Sequence, residues 1–208
     1  CKMLITNIPH FKEVILMAFT CDQCGYKTNE VRGGGGISEK GRRTLLHLED
    51  EEDLSRDILK SENASLIIPE IGLELTAGTL GGKFTTIEGI ITDIVNALRS
   101  NPFVHGDSAL QGEKEKMITF VEKLEALLQV KEPFTIILDD PLSNSYIQNL
   151  CAPDPDPQLE VTEYTRTFEQ DEELGINDLK NMDQGYDDDN GDGASSSATS
   201  NNGNGASS

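Results

Sequence analysis

Phe19-Thr20-Cys21-Asp22-Gln23-Cys24-Gly25-Tyr26 sets two cysteines three positions apart and follows the second with glycine. A tight turn on such a stretch aims both sulfurs at one point, and the glycine lets the backbone fold beneath a metal. A structural Zn²⁺ site is tetrahedral, with four ligands and Zn–S near ~2.3 Å. One Cys-x-x-Cys pair supplies two of them. Cys21 and Cys24 are therefore the candidate ligands. The sequence opens at Cys1 without methionine, and is read as a fragment that begins inside, or just after, the partner knuckle.

Two other readings share the spacing. A thioredoxin-like pair normally opens a helix after a buried strand, whereas Gly25 and the polar run Lys27-Thr28-Asn29-Glu30 predict a turn into a strand. The bland alternative is two unconnected thiols, against which the spacing and the glycine argue. Met3–Phe11 and Glu13–Phe19 read as strands before the knuckle, and Thr28–Val31 as one after it. A knuckle at the tip of a β-hairpin is how zinc ribbons are built. His10 is a further candidate ligand, though a histidine after proline at a strand end is more often structural.

The 208 residues suffice for one large or two small domains with real cores. Net charge is −20. Residues 154–208 hold 14 acids against two bases, and the remainder is acidic as well, with 23 against 15. Phosphate recognition needs clustered Lys and Arg, so direct nucleic-acid binding by a ribbon is disfavoured. Lys40-Gly41-Arg42-Arg43 is the one basic cluster, and reads as a solvated loop. Four cysteines in a chain this long do not make a secreted disulfide framework. No apolar run approaches the roughly 20 residues of a membrane span. A reducing compartment, cytoplasm or nucleus, fits best.

Gly33-Gly34-Gly35-Gly36 lacks the Lys-Ser/Thr of a phosphate-cradling loop, and reads as a flexible turn. Arg43–Leu48, Ser65–Pro69, Ile71–Leu75 and Phe134–Asp140 read as strands. Asp53–Ser61 stays open between a helical turn and an extended segment. Thr85 or Thr86 caps a helix whose apolar stripe is Ile87, Ile90, Ile91, Ile94, Val95 and Leu98. Glu113–Val130 repeats the pattern, so 85–130 reads as a helical hairpin. Asp139 and Asp140 are adjacent on a strand and point to opposite faces, which argues against a shared acid/base or metal site. Ser145–Leu150 reads as the last clear strand. Residues 154–182 form an extended or short-helical arm, with Thr162–Leu174 its helical or docked part. The Asp, Gly, Ser and Asn of 183–208 predict a disordered tail. The histidines His10, His47 and His105 are scattered, and no Ser or Cys sits in an activating motif. The domain plan is a finger and its strands at 1–47, a β domain at 48–153, then arm and tail.

Several runs together resemble the ZPR1-type zinc-finger proteins of eukaryotes: Ile8-Pro9-His10-Phe11-Lys12-Glu13-Val14-Ile15, Cys21 to Val31, Leu80-Gly81-Gly82-Lys83-Phe84-Thr85-Thr86-Ile87-Glu88-Gly89, Asp139 to Asn149, and Asp171 to Asp178. The resemblance spans about residues 3–180. It implies a mixed α+β, mainly β fold: a partial four-cysteine zinc ribbon, then a double-stranded β-helix-like domain with an inserted helical hairpin. The chain corresponds to the second of two tandem modules plus the C-terminal tail. Cys21 and Cys24 are implied as ligands of Zn²⁺. The family's other pair lies ten or more residues before the Ile-Pro-His-Phe segment. Cys1 lies only seven before Ile8, which places it past that pair and leaves the site unclosed by this chain alone.

The implied function is non-enzymatic: binding translation elongation factor 1-alpha and assisting its folding. The resemblance also implies a link to the cytoplasmic domain of receptor tyrosine kinases, and activity in cytoplasm and nucleus. An acidic chain suits a basic elongation factor through electrostatic steering. The hairpin helices and the finger are the expected contact surfaces.

Overall fold

The computed structural model describes residues 1–9, 11–34, 37–100 and 111–179. The chain divides into two compact units, Cys1–Arg166 and Thr167–Ser208. The architecture is mixed α+β with strands predominating.

In the first unit, β1 (Lys2–Asn7), β2 (Glu13–Thr20) and β3 (Lys27–Gly33) form an antiparallel sheet in the order β1-β2-β3. The apolar run of β2 dictates this pairing, yet Val14 and Val31 are the only described residues of the three strands to be buried. They pack with Leu59.

The rest of the unit is built from two further sheets around one core. β5 (Asp57–Lys60), β8 (Lys83–Thr86) and β10 (Tyr146–Ile147) make one, in the order β10-β5-β8. β4 (Gly41–Leu48), β6 (Ser65–Ile68), β7 (Leu73–Leu75), β9 (Phe134–Asp140) and β11 (Leu159–Tyr164) make the other, in the order β11-β4-β9-β6-β7. Strand alternation points every second side chain inward: Leu46 and Leu48 from β4, Phe134, Ile136 and Leu138 from β9. Each such burial contributes about 1.5–3 kcal/mol.

The helices close this core. α1 (Ile87–Arg99) starts where the Thr86 hydroxyl accepts the Gly89 N–H at 3.1 Å. Its stripe of Ile87, Ile90, Ile91, Ile94 and Val95 is buried as the spacing predicts. α2 (Gln111–Leu127) adds Val121 and Leu124 to the same core. The two helices therefore pack together with the sheets, although α2 starts two residues earlier and ends three earlier than the pattern suggested.

Arg56 is buried to 1% exposure at the centre of a polar network. Its Nε donates to Asp53 at 2.8 Å, Nη1 to Asp156 at 2.5 Å, and Nη2 to the side-chain oxygen of Gln158 at 2.5 Å. Gln158 donates in turn to Asp53 at 3.0 Å. Burial alone would raise both carboxyls. Hydrogen bonds from the Glu49 N–H and Arg56 to Asp53, and from Arg56 and the Gln158 N–H to Asp156, overcome this and hold both below the usual range. Asp139 and Asp140 do face opposite ways. Asp139 meets Arg43 and the Tyr164 hydroxyl, while buried Asp140 accepts from the Ser61 and Ser145 hydroxyls and the Leu142 and Asn144 N–H groups.

The first sheet is fastened to this body at its turn. The Phe11 ring stacks on Tyr146 with centroids 5.1 Å apart, and Lys12 Nζ donates to the Ser143 carbonyl at 2.8 Å. The Val31 N–H donates to the Gly82 carbonyl, and a Cβ on Gly82 would stand 2.2 Å from the Val31 oxygen. No larger residue fits there.

Four expectations are corrected. The plan places 43–47 with the finger, but β4 pairs with β9 and β11 in the five-stranded sheet, where its inward leucines find a core. Lys40-Gly41-Arg42-Arg43 is not a loop throughout, since β4 begins at Gly41. Residues 159–164, whose sequence predicts an extended or helical arm, form strand β11. Ser145–Leu150 yields only the two-residue β10, because the Asp140 carboxylate holds 142–145 in a turn. In the second unit a short helix α3 (Phe168–Glu173) follows Thr167, which exchanges capping hydrogen bonds with Gln170. The tail at 183–208 and the linker at 101–110 lie outside the described residues.

Candidate metal centre

Strand pairing places the knuckle. β2 and β3 pair from Val14↔Gly33 to Thr20↔Lys27, so residues 21–26 are the tip of their hairpin. The tip is closed by two backbone hydrogen bonds: Cys21 N–H to the Tyr26 carbonyl at 2.8 Å, and Gly25 N–H to the Cys21 carbonyl at 2.9 Å. Gly25 has φ +71°, a left-handed conformation that residues with a Cβ rarely adopt. The glycine is the local reason that the chain can return beneath the two cysteines.

Both thiols are free, with Cys21 half-buried and Cys24 exposed. The backbone N–H of Cys24, then that of Gln23, hydrogen-bond to the Cys21 sulfur, and hold its thiol below the ordinary cysteine value. The thiolate is the form that binds metal. Amides that stabilise negative sulfur, a tight turn and a second cysteine three residues on fit a soft tetrahedral ion such as Zn²⁺. The pair does not open a helix, which removes the structural setting of a thioredoxin-like redox site.

Among the described residues no group of three or more His, Cys, Asp or Glu converges. Cys1 is exposed and does not join the pair; its thiol lies 4.0 Å from the Lys2 carbonyl oxygen. Cys151 is exposed in the loop after β10. His10 lies outside the described residues, and His47 sits on β4 beside Thr135, 3.2 Å from its hydroxyl. The described residues thus offer two sulfur donors. The Lys2↔Ala18 and Asn7↔Glu13 pairings run β1 away from the knuckle, so the N-terminal end of β1 lies at the knuckle end of the sheet.

A second surface lies between the helices. Leu98 and Arg99 of α1 and Met117, Ile118, Val121 and Glu125 of α2 line a cleft of about 450 Å³. The Arg99–Glu125 ion pair at 2.7 Å bridges it, and Ile118 is half-exposed. The helical periods could identify the buried stripe. They could not reveal that the stripe residues Leu98 and Val121 also edge an open cleft.

Comparison with known proteins agrees with this geometry. Residues 1–39 match the ZPR1 zinc-finger domain and residues 52–176 the ZPR1 jelly-roll domain. The human zinc finger protein ZPR1 is 47% identical over 185 residues, 89% of this chain and 40% of its own length. The zinc finger chaperone zpr1 of Schizosaccharomyces pombe is 52% identical over 179 residues, 86% of this chain and 39% of its own. An uncharacterized ZPR1-like protein of Methanocaldococcus jannaschii is 29% identical over 142 residues, 68% of this chain and 69% of its own. The chain spans about 40% of the length of the eukaryotic relatives. The zinc-finger match makes Zn²⁺ the metal of the knuckle domain. With a jelly-roll body behind a zinc-finger sheet, this chain belongs to the ZPR1 zinc-finger protein family.

Proposed function

We propose that this chain is a zinc-dependent protein-binding module that engages translation elongation factor 1-alpha and assists its folding, by binding rather than by catalysis. Cys21 and Cys24 act as two thiolate ligands, and two further ligands come from outside the described residues. The β1 register favours segments that precede Cys1 as their source, since such segments would enter at the knuckle end.

One observation carries the reading. The fission-yeast relative, 52% identical over most of this chain, is named a zinc finger chaperone. The surface supports it. Met3, Leu4 and Ile5 on β1 are each more than half exposed, as is Tyr26 beside the knuckle. Met3 and Ile5 share one face of β1 and Leu4 takes the other, and exposed apolar side chains that share a face mark protein-interaction sites. The helix cleft adds a second apolar surface, and the net charge of −20 would speed encounter with a basic partner. The cytoplasm and the nucleus are the compartments in which this activity is expected.

The test pairs zinc content with capture. Immobilised zinc-loaded protein that carries this chain together with the residues preceding Cys1 should retain purified elongation factor 1-alpha as it refolds and keep it from aggregating. Cys21→Ser with Cys24→Ser should lower retention about tenfold or more, and Ile118→Asp should lower it without loss of metal. No retention by the parent chain sinks the partner. Equal retention by the metal-free double variant sinks the zinc dependence.

A further inference from the structure

Lys40-Gly41-Arg42-Arg43 is the one basic run of an acidic chain, and the zinc reading leaves it unused. In the fold, Arg42 and Thr44 stand on the inward row of β4, continuous with buried Leu46 and Leu48. Opposite them on β11 are Glu163, Val161 and Leu159. β11 is the edge strand of the five-stranded sheet and β10 the edge strand of the three-stranded one. Where these edges face each other the seam of the jelly-roll opens. The resulting cleft, of about 290 Å³, is walled by Arg42, Thr44, Tyr146, Ile147, Leu159 and Val161.

One buried donor in that wall lacks an acceptor. Arg42 Nε is shielded from solvent and has no hydrogen-bond partner among the described residues. Its guanidinium is held only at the far nitrogen, Nη2, 3.5 Å from Glu163. Thr44, 4% exposed, lines the same cleft beside it. Buried donors are almost always paired, by protein or by a bound group. The surroundings favour an anion. Lys40 shares Glu163 with Arg42, and Lys12 lies near enough to Arg42 for the two cations to repel. Arg166 is turned to the Ser38 and Pro141 carbonyls, while Asp139 is engaged by Arg43 and Tyr164, and Asp140 by Ser61 and Ser145. One free guanidinium edge and one hydroxyl suit a singly charged carboxylate. A phosphate would call for several cations or a nest of N–H groups. Ile147, Leu159 and Val161 form an apolar strip of the wall, flanked by the polar Ser145, Tyr146 and Asn149.

We propose that this seam binds a carboxylate carried on a short apolar body. The carboxylate accepts from Arg42 Nε–H and the Thr44 hydroxyl, and the body lies on Ile147, Leu159 and Val161. A free aliphatic acid and the C-terminus of a peptide both present this chemistry. No residue involved belongs to the knuckle or to the helix cleft, so the site stands apart from the zinc reading.

The test is a nitrogen–proton NMR titration of the whole chain. The probes are hexanoate, hexanol, an apolar tripeptide with a free C-terminus, and its C-terminal amide. Hexanoate should shift the Arg42 Nε–H and the Thr44 amide, and hexanol should not. Arg42→Lys, which keeps the charge but removes the Nε donor, should weaken hexanoate about tenfold or more. Thr44→Val keeps the shape and should weaken it by a smaller factor; it decides the matter if Arg42→Lys does not fold. A free-acid tripeptide that binds more tightly than hexanoate, with an inert amide, identifies a chain end as the ligand. Inert tripeptides beside active hexanoate identify a small acid. Equal shifts from hexanoate and hexanol, an Arg42 Nε–H unmoved at saturating hexanoate, or unchanged affinity in Thr44→Val would each overturn the proposal.

Discussion

The sheet that carries Cys21 and Cys24 buries Val14 and Val31 and leaves Met3, Leu4 and Ile5 in solvent, whereas β9 alone buries Phe134, Ile136 and Leu138. The jelly-roll body has a continuous apolar interior, two covering helices, and a buried arginine whose hydrogen bonds reach residues 148, 156 and 158. The finger sheet has a hairpin tip, one small apolar cluster shared with Leu59, and a clamp at Phe11 and Lys12. Three strands with so little interior do not hold themselves by burial, and small domains of this kind rely on metals or on docking. The body should therefore be indifferent to metal and sensitive to its core. The finger should behave the other way.

The largest effect expected is in the body. Arg56→Met strands the Asp53 and Asp156 carboxylates in the interior, and should cost about 3–5 kcal/mol, read as a fall in the urea midpoint. Metal content should not change. If zinc binding falls in step with stability, the two regions are one cooperative unit and the contrast is wrong.

Acid comes next. Asp53 and Asp156 have folded-state pKa values below the ordinary one of about 3.9. Their stabilisation is complete above that value, begins to fade as the unfolded chain takes up protons near it, and is gone once pH has fallen through the lower folded values. The urea midpoint should drop over that window, and the share of the drop due to these two groups should vanish in Arg56→Met. An identical acid limb in the variant would mean that other carboxylates govern it.

The clamp offers a smaller handle on the border between the regions. A double-mutant cycle on Phe11→Ala and Tyr146→Ala should give a coupling of about 1 kcal/mol. Hydrogen exchange should quicken in β1 and β2 before it does in β4 and β9. Simultaneous loss of protection in both regions would erase the border. Smallest and most local, Thr86→Ala removes the α1 cap and should cost roughly 0.5–1 kcal/mol, with zinc content untouched. A loss of metal in that variant would tie the helix to the knuckle.

Short-range features were legible. The knuckle follows from Cys-x-x-Cys-Gly, α1 from the isoleucine spacing after Thr86, and β9 from its apolar alternation. The Thr86 cap appeared where a threonine was expected, but without the reciprocal bond from Glu88. β11 was not legible. Glu160, Val161, Thr162 and Glu163 are all exposed, so the edge strand carries no apolar period, and only its pairing with β4 makes it a strand. Arg56 reads as one more charged residue in an undecided segment, because Asp156 and Gln158, which complete its network with nearby Asp53, lie about a hundred positions away.

By itself the sequence determined what neighbouring residues can settle: the sulfur pair with its left-handed glycine, the buried stripe of α1, and the strand character of β9. Tertiary structure alone decided that β4 leaves the finger for the jelly-roll, that Arg56 is the buried hub of Asp53 and Asp156, and that Arg42 and Thr44 meet at an open seam. Local geometry depends on dihedral preference and spacing within a turn or two. Strand partnership and the pairing of buried charges depend on which distant surfaces exclude water from one another, and that is set only when the whole core closes.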